Sequence, residues 1–267
     1  MTVAKDLEVL YVTSFGPDMY VATGVHLVES FLTLESEGQM LCCHEGAIHD
    51  MSSMNHERVQ CYNLDASEFL HAWLSSNKDI IPVALGGDAQ RCSCSFPDDP
   101  YSQHRDRCPF TWFNKNASRW FRKIVSLERA MEANADLVVW IDSDCRFVRK
   151  LPAEIWSVLR SDCSVLYHKS AARSVVESGV IAFRMDEGGK DMLRHVIEYY
   201  RSGDFRAESR WDDGYIFQQM IERYPNIISK DLARESTPSG HVLPSSPLGP
   251  YLHHYKDVHG PVLRLLR

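Results

Sequence analysis

The sequence predicts an α/β domain built on a mainly parallel, Rossmann-like central sheet flanked by helices, and three features predict it. The first is an apolar run, Leu137-Val138-Val139-Trp140-Ile141, that ends abruptly in Asp142-Ser143-Asp144. An unbroken apolar run of that length suits a strand buried on both faces, as in a helix-covered parallel sheet. The second is an alternation of strand-like and helix-like stretches along the chain. The third is the composition: 267 residues, 44% hydrophobic and 24% charged, are enough to bury a full core.

The elements follow in order. Glu8 to Phe15 reads as a first strand ending in hydroxyl and aromatic residues, and Gly16-Pro17-Asp18 turns the chain. Tyr20 to Leu34 has helical apolar spacing. Gln39 to Cys43 and Arg58 to Tyr62 read as short strands, and Ala66 to Leu74 as a helix. From Gly86 to Asn116 the chain is irregular and rich in Gly, Pro, Asp, Cys and Arg, too long for mere connection, so a lid or acceptor-binding loop is expected there. Helix resumes at Ala117 to Ala133 and leads into the strand ending at Asp142. Then come a helix near Ala153 to Leu159, a strand at Ser164 to Tyr167 and an apolar strand around Val180 to Phe183. Helices near Lys190 to Tyr200 and Asp213 to Arg223 and a Pro/Ser-rich tail complete the chain. With no internal repeat and no clean boundary, a single domain over 1–267 is expected.

Charge and cysteine usage exclude some classes. A net charge of −7 and a pI near 5.9 supply no general basic field, so nucleic acid is not the expected partner. The amino terminus lacks a basic segment followed by an apolar stretch and no window approaches the length of a membrane span, so a cytoplasmic protein is expected. Eight cysteines without an export signal fit reduced thiols. Cys92-Ser93-Cys94 with His104 and Cys108 gathers four soft ligands; zinc, free thiols and a local disulfide all remain open there, since Cys-x-Cys is not the usual zinc spacing.

Four places carry chemistry. Residues two apart on a strand emerge on one side, so Asp142 and Asp144 present paired carboxylates at the rim of the sheet. Such a pair repels unless something positive sits between, and a hard divalent cation, Mg²⁺ or Mn²⁺, fits while keeping positions for diphosphate oxygens. An acidic turn without a ligand is the plainer alternative. The next helix face upstream carries Arg119, Arg122 and Lys123, with Arg119 sharing a face with both others; it suits a diphosphate or is simply solvated. Trp211-Asp212-Asp213-Gly214 stands where a helix N-cap would, and since one cap suffices, the second carboxylate is available as a general base or charge stabiliser. In Tyr251-Leu252-His253-His254-Tyr255-Lys256, an imidazole could complete a metal shell and Lys256 meet a phosphate, or both could be exposed.

The succession of these pieces resembles nucleotide-sugar-dependent glycosyltransferases of the GT-A fold, particularly capsule- and surface-glycan-type enzymes with an Asp-x-Asp motif. The pieces are Arg119-Trp120-Phe121-Arg122-Lys123, Trp140-Ile141-Asp142-Ser143-Asp144, Glu177-Ser178-Gly179-Val180-Ile181-Ala182-Phe183, Trp211-Asp212-Asp213 and His254-Tyr255-Lys256. The resemblance implies a single GT-A-type domain with a nucleotide-binding half at about 1–150 and an acceptor-side half at about 151–267. It implies a donor of the UDP- or GDP-sugar type and a glycan or other hydroxyl acceptor. It places ribose or metal at Asp142, metal at Asp144 and His254, and the nucleoside at Thr13, Ser14 and Phe15. It places the diphosphate near Arg119, Arg122, Lys123 and Lys256, and sugar or acceptor at Glu177, Ser178 and Gly179. The late acidic residue matches Asp213, with Asp212 where a histidine often stands. Asp257 stands where the pattern has glycine, and an acid there repels a diphosphate unless it faces away.

Two rival readings stay open. A haloacid-dehalogenase-type phosphohydrolase also ends a strand in Asp-x-Asp, with the first acid, here Asp142, as nucleophile; Cys145-Arg146 and the motif's late position depart from that pattern. A catalytically silent nucleotide- or glycan-binding module would need none of the acids for chemistry.

Overall fold

The computed structural model describes residues 8–35, 37–48, 50–81, 87, 115–152, 155, 162–169, 175–233 and 243–255. The first strand, β1 (Val9–Phe15), is followed by a helical turn α1 (Pro17–Met19), helix α2 (Val25–Leu34), β2 (Gln39–His44), β3 (Val59–Asn63) and α3 (Glu68–Ser76). Then come α4 (Ala117–Ala130), β4 (Leu137–Ile141), β5 (Cys145–Phe147), β6 (Val165–Tyr167), β7 (Val180–Arg184), α5 (Glu187–Ser202), α6 (Asp213–Arg223), β8 (Ser229–Asp231) and β9 (Leu252–His254).

Seven strands form one sheet in the order β3-β2-β1-β4-β7-β6-β8. β1 pairs in parallel with β2 and β4, β2 with β3, and β6 with β8; β7 alone runs antiparallel, between β4 and β6. The sheet is thus mainly parallel and helix-covered, and strands from both halves of the chain build it. Side chains alternate across it. Leu10, Val12, Val138, Trp140, Ile181 and Phe183 enter the layer shared with α4, α5 and α6. Val9, Tyr11, Leu137, Val139, Ile141 and Val180 enter the layer shared with Leu27, Val28 and Phe31 of α2. All five residues of β4 are buried, as the unbroken apolar run predicts.

Helix ends follow their caps. Asp186 accepts from the Gly189 N–H at 2.8 Å to start α5, and Gly203, at φ 85°, ends it in the left-handed conformation only glycine adopts freely. The stretch predicted as one helix from Tyr20 opens instead as a π-helical turn over Tyr20–Gly24 before α2. The helix predicted to Ala133 ends at Ala130, where Met131 caps it. Two pairings were not foreseen. The polar β8 adds a sheet edge, and β5 pairs antiparallel with β9, setting Cys145 opposite His254. The expected helix near 153–159, except for Ile155, the loop 88–114 with its cysteine group, and Lys256 lie outside the described residues. Among the described residues, no helix is long and apolar enough to cross a membrane.

One buried acid makes stability depend on pH. Glu35 closes α2 and is 1% exposed; its Oε1 accepts from the Glu37 N–H at 3.0 Å, while Oε2 has no hydrogen-bond partner among the described residues. Burial, outweighing the Glu37 N–H and the charges of Arg58 and Lys150, raises its pKa from 4.5 to about 7, with the Glu37 charge adding to the rise. A raised acid favours folding while protonated, so its contribution is full below pH 4.5 and lost as pH rises through 7. Glu35→Gln is expected to match the parent near pH 4 and to be more stable by about 2 kcal/mol at pH 8, allowing for partial solvation. Urea unfolding at the two pH values checks it; equal stability at pH 8 would show Glu35 to be solvated.

Candidate functional site at the carboxyl edge of the sheet

The chain leaves β1 for β2 on one side and, through α4, reaches β4 on the other, so the carboxyl ends of β1 and β4 flank a crevice at the point where the winding reverses. A cleft of about 230 Å³ lies there, lined by Ser14, Phe15 and Gly16 after β1, by Arg119, Trp120, Arg122 and Lys123 of α4, and by Trp140, Asp142, Ser143 and Asp144. Glu45, after β2, and Leu64, after β3, close it. Thr13 is 1% exposed and alternates to the α2 side, apart from the cleft.

The three cations of α4 have distinct surroundings. Arg119 lies over the Trp120 ring, its guanidinium carbon 5.0 Å from the centroid. Arg122 pairs with Glu45, an acid that sequence reasoning did not single out. Lys123 is 4% exposed. Its ammonium donates to the Ser178 carbonyl at 2.9 Å, contacts Asp142 Oδ1 at 3.0 Å, bonds Asp213 Oδ2, and sits 4.7 Å from the centre of the Trp140 ring. Burial works against the charge on Lys123, but Asp142 and Asp213 outweigh it and raise its pKa. The sequence placed Lys123 beside a phosphate; in the structure its three N–H groups are spent within the protein.

Asp142 is the centre of the site. The Trp140 indole N–H donates to its Oδ1 at 2.6 Å, and its backbone N–H donates to the Gly179 carbonyl at 2.8 Å. Burial pushes the carboxyl up, but Lys123, His254 and the indole outweigh burial and hold its pKa at about 2. His254 arrives from β9 with its side chain 1% exposed; Nε2 lies 2.9 Å from Asp144 Oδ1 and 3.7 Å from Asp142 Oδ2, and Nδ1 lies 3.9 Å from Glu177 Oε1. The residue beneath the ring is Gly179, where a Cβ would fall 2.3 Å from His254 Cε1. Only glycine admits the imidazole at that spot.

The donor set here fits a hard or borderline cation. Asp144, Cys145 and His254 each offer one ligand atom, and these lie within 4.8 Å of one another. Burial, with Asp144 and Asp142 nearby, pushes the Cys145 thiol far above its ordinary pKa, which disfavours the thiolate and leaves the Asp144 carboxylate and the His254 imidazole as the better donors. Asp212 and Asp213 divide their work. Asp212 is the N-cap of α6, accepting from the Tyr215 N–H at 3.3 Å and paired with Arg210 at 2.8 and 3.0 Å. Asp213, 2% exposed, faces Lys123. Neither lines the cleft directly, whereas Ser14, Phe15, Arg119, Arg122, Lys123, Asp142 and Asp144 do.

No protein-family model matches the chain, and no curated protein sequence matches it. Among solved structures, the chain overlaps the bifunctional glycosyltransferase WbbM (15% identity, TM-score 0.46, 87% of this chain and 40% of that one). It also overlaps the glycosyltransferase GlyE of Streptococcus pneumoniae TIGR4 (13%, TM-score 0.43, 85% and 45%), and so spans less than half the length of either. Mouse xyloside xylosyltransferase 1 matches at 10% identity and TM-score 0.50 over 94% of this chain and 98% of that one. That likeness, over nearly all of both molecules, is one of fold: this chain shares the arrangement of strands and helices of that enzyme.

Proposed function

We propose that the chain is a metal-dependent glycosyltransferase that moves a sugar from a UDP- or GDP-sugar to a hydroxyl of a glycan. The observation that carries this reading is the meeting of Asp142, Asp144 and His254 at the carboxyl end of β4, beside a cleft with Arg119 and Arg122 on its wall. Asp144, His254 and Asp142 would hold Mn²⁺ or Mg²⁺, which when bound supplies neutralisation of the diphosphate leaving group. Ser14 and Phe15 shape the nucleoside end of the cleft, with Thr13 in the wall behind them. Arg119 and Arg122 stabilise the phosphates as charge develops on them, a role the sequence pattern alone extends to Lys256. Glu177, Ser178 and Gly179, adjoining Asp142 and His254, border the sugar and acceptor. Asp213 is held behind Lys123 at 2% exposure, which suits orientation and charge stabilisation better than taking a proton from an acceptor.

The test pairs binding with turnover. A UDP- or GDP-sugar at a hundred times its Kd with Mn²⁺ is expected to stabilise the chain by about 2.7 kcal/mol. Slow donor hydrolysis is expected to vanish in Asp144→Ala. Absence of manganese-dependent uptake of every nucleoside-diphosphate sugar sinks the reading. Phosphomonoester hydrolysis lost in Asp142→Asn would point to the phosphohydrolase instead, and tight binding without turnover to a silent module.

A further inference from the structure

Trp140 and Asp142 are two apart at the end of β4, so both side chains leave the same face of the sheet, the face that α4 covers. Trp140 is 2% exposed, and a buried indole N–H needs an acceptor. Its acceptor is Asp142 Oδ1, at 2.6 Å. The same oxygen faces the Lys123 ammonium at 3.0 Å, and that ammonium rests over the Trp140 ring at 4.7 Å. Two donors from one side thus fix the carboxylate plane and saturate Oδ1. The other oxygen, Oδ2, faces the Nε2 atom of His254 at 3.7 Å, on the side where the imidazole packs over Gly179.

We infer that Trp140 is a positioning residue that divides the labour of Asp142: Oδ1 is held inward by the indole, and Oδ2 alone is offered to a cation. This rests on the metal-dependent reading above. Without the N–H, Lys123 is the remaining partner of Oδ1; the carboxylate is free to turn about it, and Oδ2 leaves the line to Asp144 and His254. The indole ring and the indole N–H therefore have separable roles, one in packing and one in aiming.

Trp140→Phe keeps a ring under Lys123 and removes the N–H. Replacing Trp140 by 3-benzothienylalanine, which swaps the N–H for sulfur at nearly constant shape, covers the case in which the phenylalanine variant does not fold. Manganese affinity is read directly by titrating free Mn²⁺ with electron paramagnetic resonance, alongside the melting temperature. Both variants are expected to bind Mn²⁺ about tenfold more weakly. In an Asp142→Asn background, Trp140→Phe is expected to add no further loss, because the indole acts through that carboxylate. Manganese affinity equal to the parent's, whether or not melting shifts, overturns the inference and leaves Trp140 a packing residue. An additive loss in the Asp142→Asn background overturns it too. The parent chain and Asp144→Ala separate this from failure of the underlying reading: no uptake by the parent removes the metal site itself, whereas equal uptake by parent and Trp140 variants removes only the aiming role.

Discussion

Lys123→Met is expected to destabilise the fold by about 3–5 kcal/mol, the cost of leaving buried acids without their counter-charge. The residue is 4% exposed, and its ammonium is shared between Asp142 and Asp213. Without it, two carboxylates face one another across a space sized for an ammonium, and the Ser178 carbonyl loses its donor. Either the acids take up protons or the α4–α6 contact opens; both cost free energy. For a chain of this size the loss corresponds to roughly 10 °C in melting temperature. Lys123→Arg is not expected to restore it, because a planar guanidinium does not reach three acceptors arranged around one tetrahedral nitrogen. Urea unfolding checks the prediction: the midpoint falls while the slope stays constant. Unchanged stability with a raised donor KM would return Lys123 to the phosphate-binding role read from the sequence.

Lys123 also shows where the sequence stops being legible. Helical spacing places Arg119, Arg122 and Lys123 near one another, and all three do line the cleft. Spacing within one helix cannot show that Asp213, ninety residues later in the chain, lands on the ammonium, because that depends on how α6 packs on α4. The strands of the sheet core were readable because each is an apolar run whose burial dictates its type. β8, Ser229-Lys230-Asp231, was not readable, since an exposed edge strand of polar residues carries no hydrophobic period. The reversed direction of β7 was equally hidden, because its residues are as apolar as those of a parallel strand. Which of Asp212 and Asp213 is the cap was not legible from the residues themselves; the geometry of α6 gives the cap to Asp212 and the ion pair to Asp213. Trp140 carried one signal that could have been used, its position two residues before Asp142 on the same strand face.

Gly179→Ala is expected to disable the site from a residue that presents no side chain to it. The Asp142 N–H donates to the Gly179 carbonyl at 2.8 Å, so this backbone is anchored to the acid and cannot retreat. An added Cβ would stand 2.3 Å from His254 Cε1 and 2.6 Å from Nδ1, closer than real atoms approach, so the imidazole must move. With 1% of its side chain exposed, His254 has no vacant volume to swing into, and β9 must shift along β5 or peel away. Overpacking of this kind costs about 1–3 kcal/mol. The larger effect is on the cation, because His254 Nε2 leaves its place 2.9 Å from Asp144 Oδ1. Manganese affinity is expected to fall about tenfold or more, the same loss that His254→Ala causes, and the double variant is expected to lose no more than either alone. If both single variants keep parental manganese affinity, β9 is a structural strap and the cation, where one binds, is held by the two aspartates at the end of β4 without help from the tail.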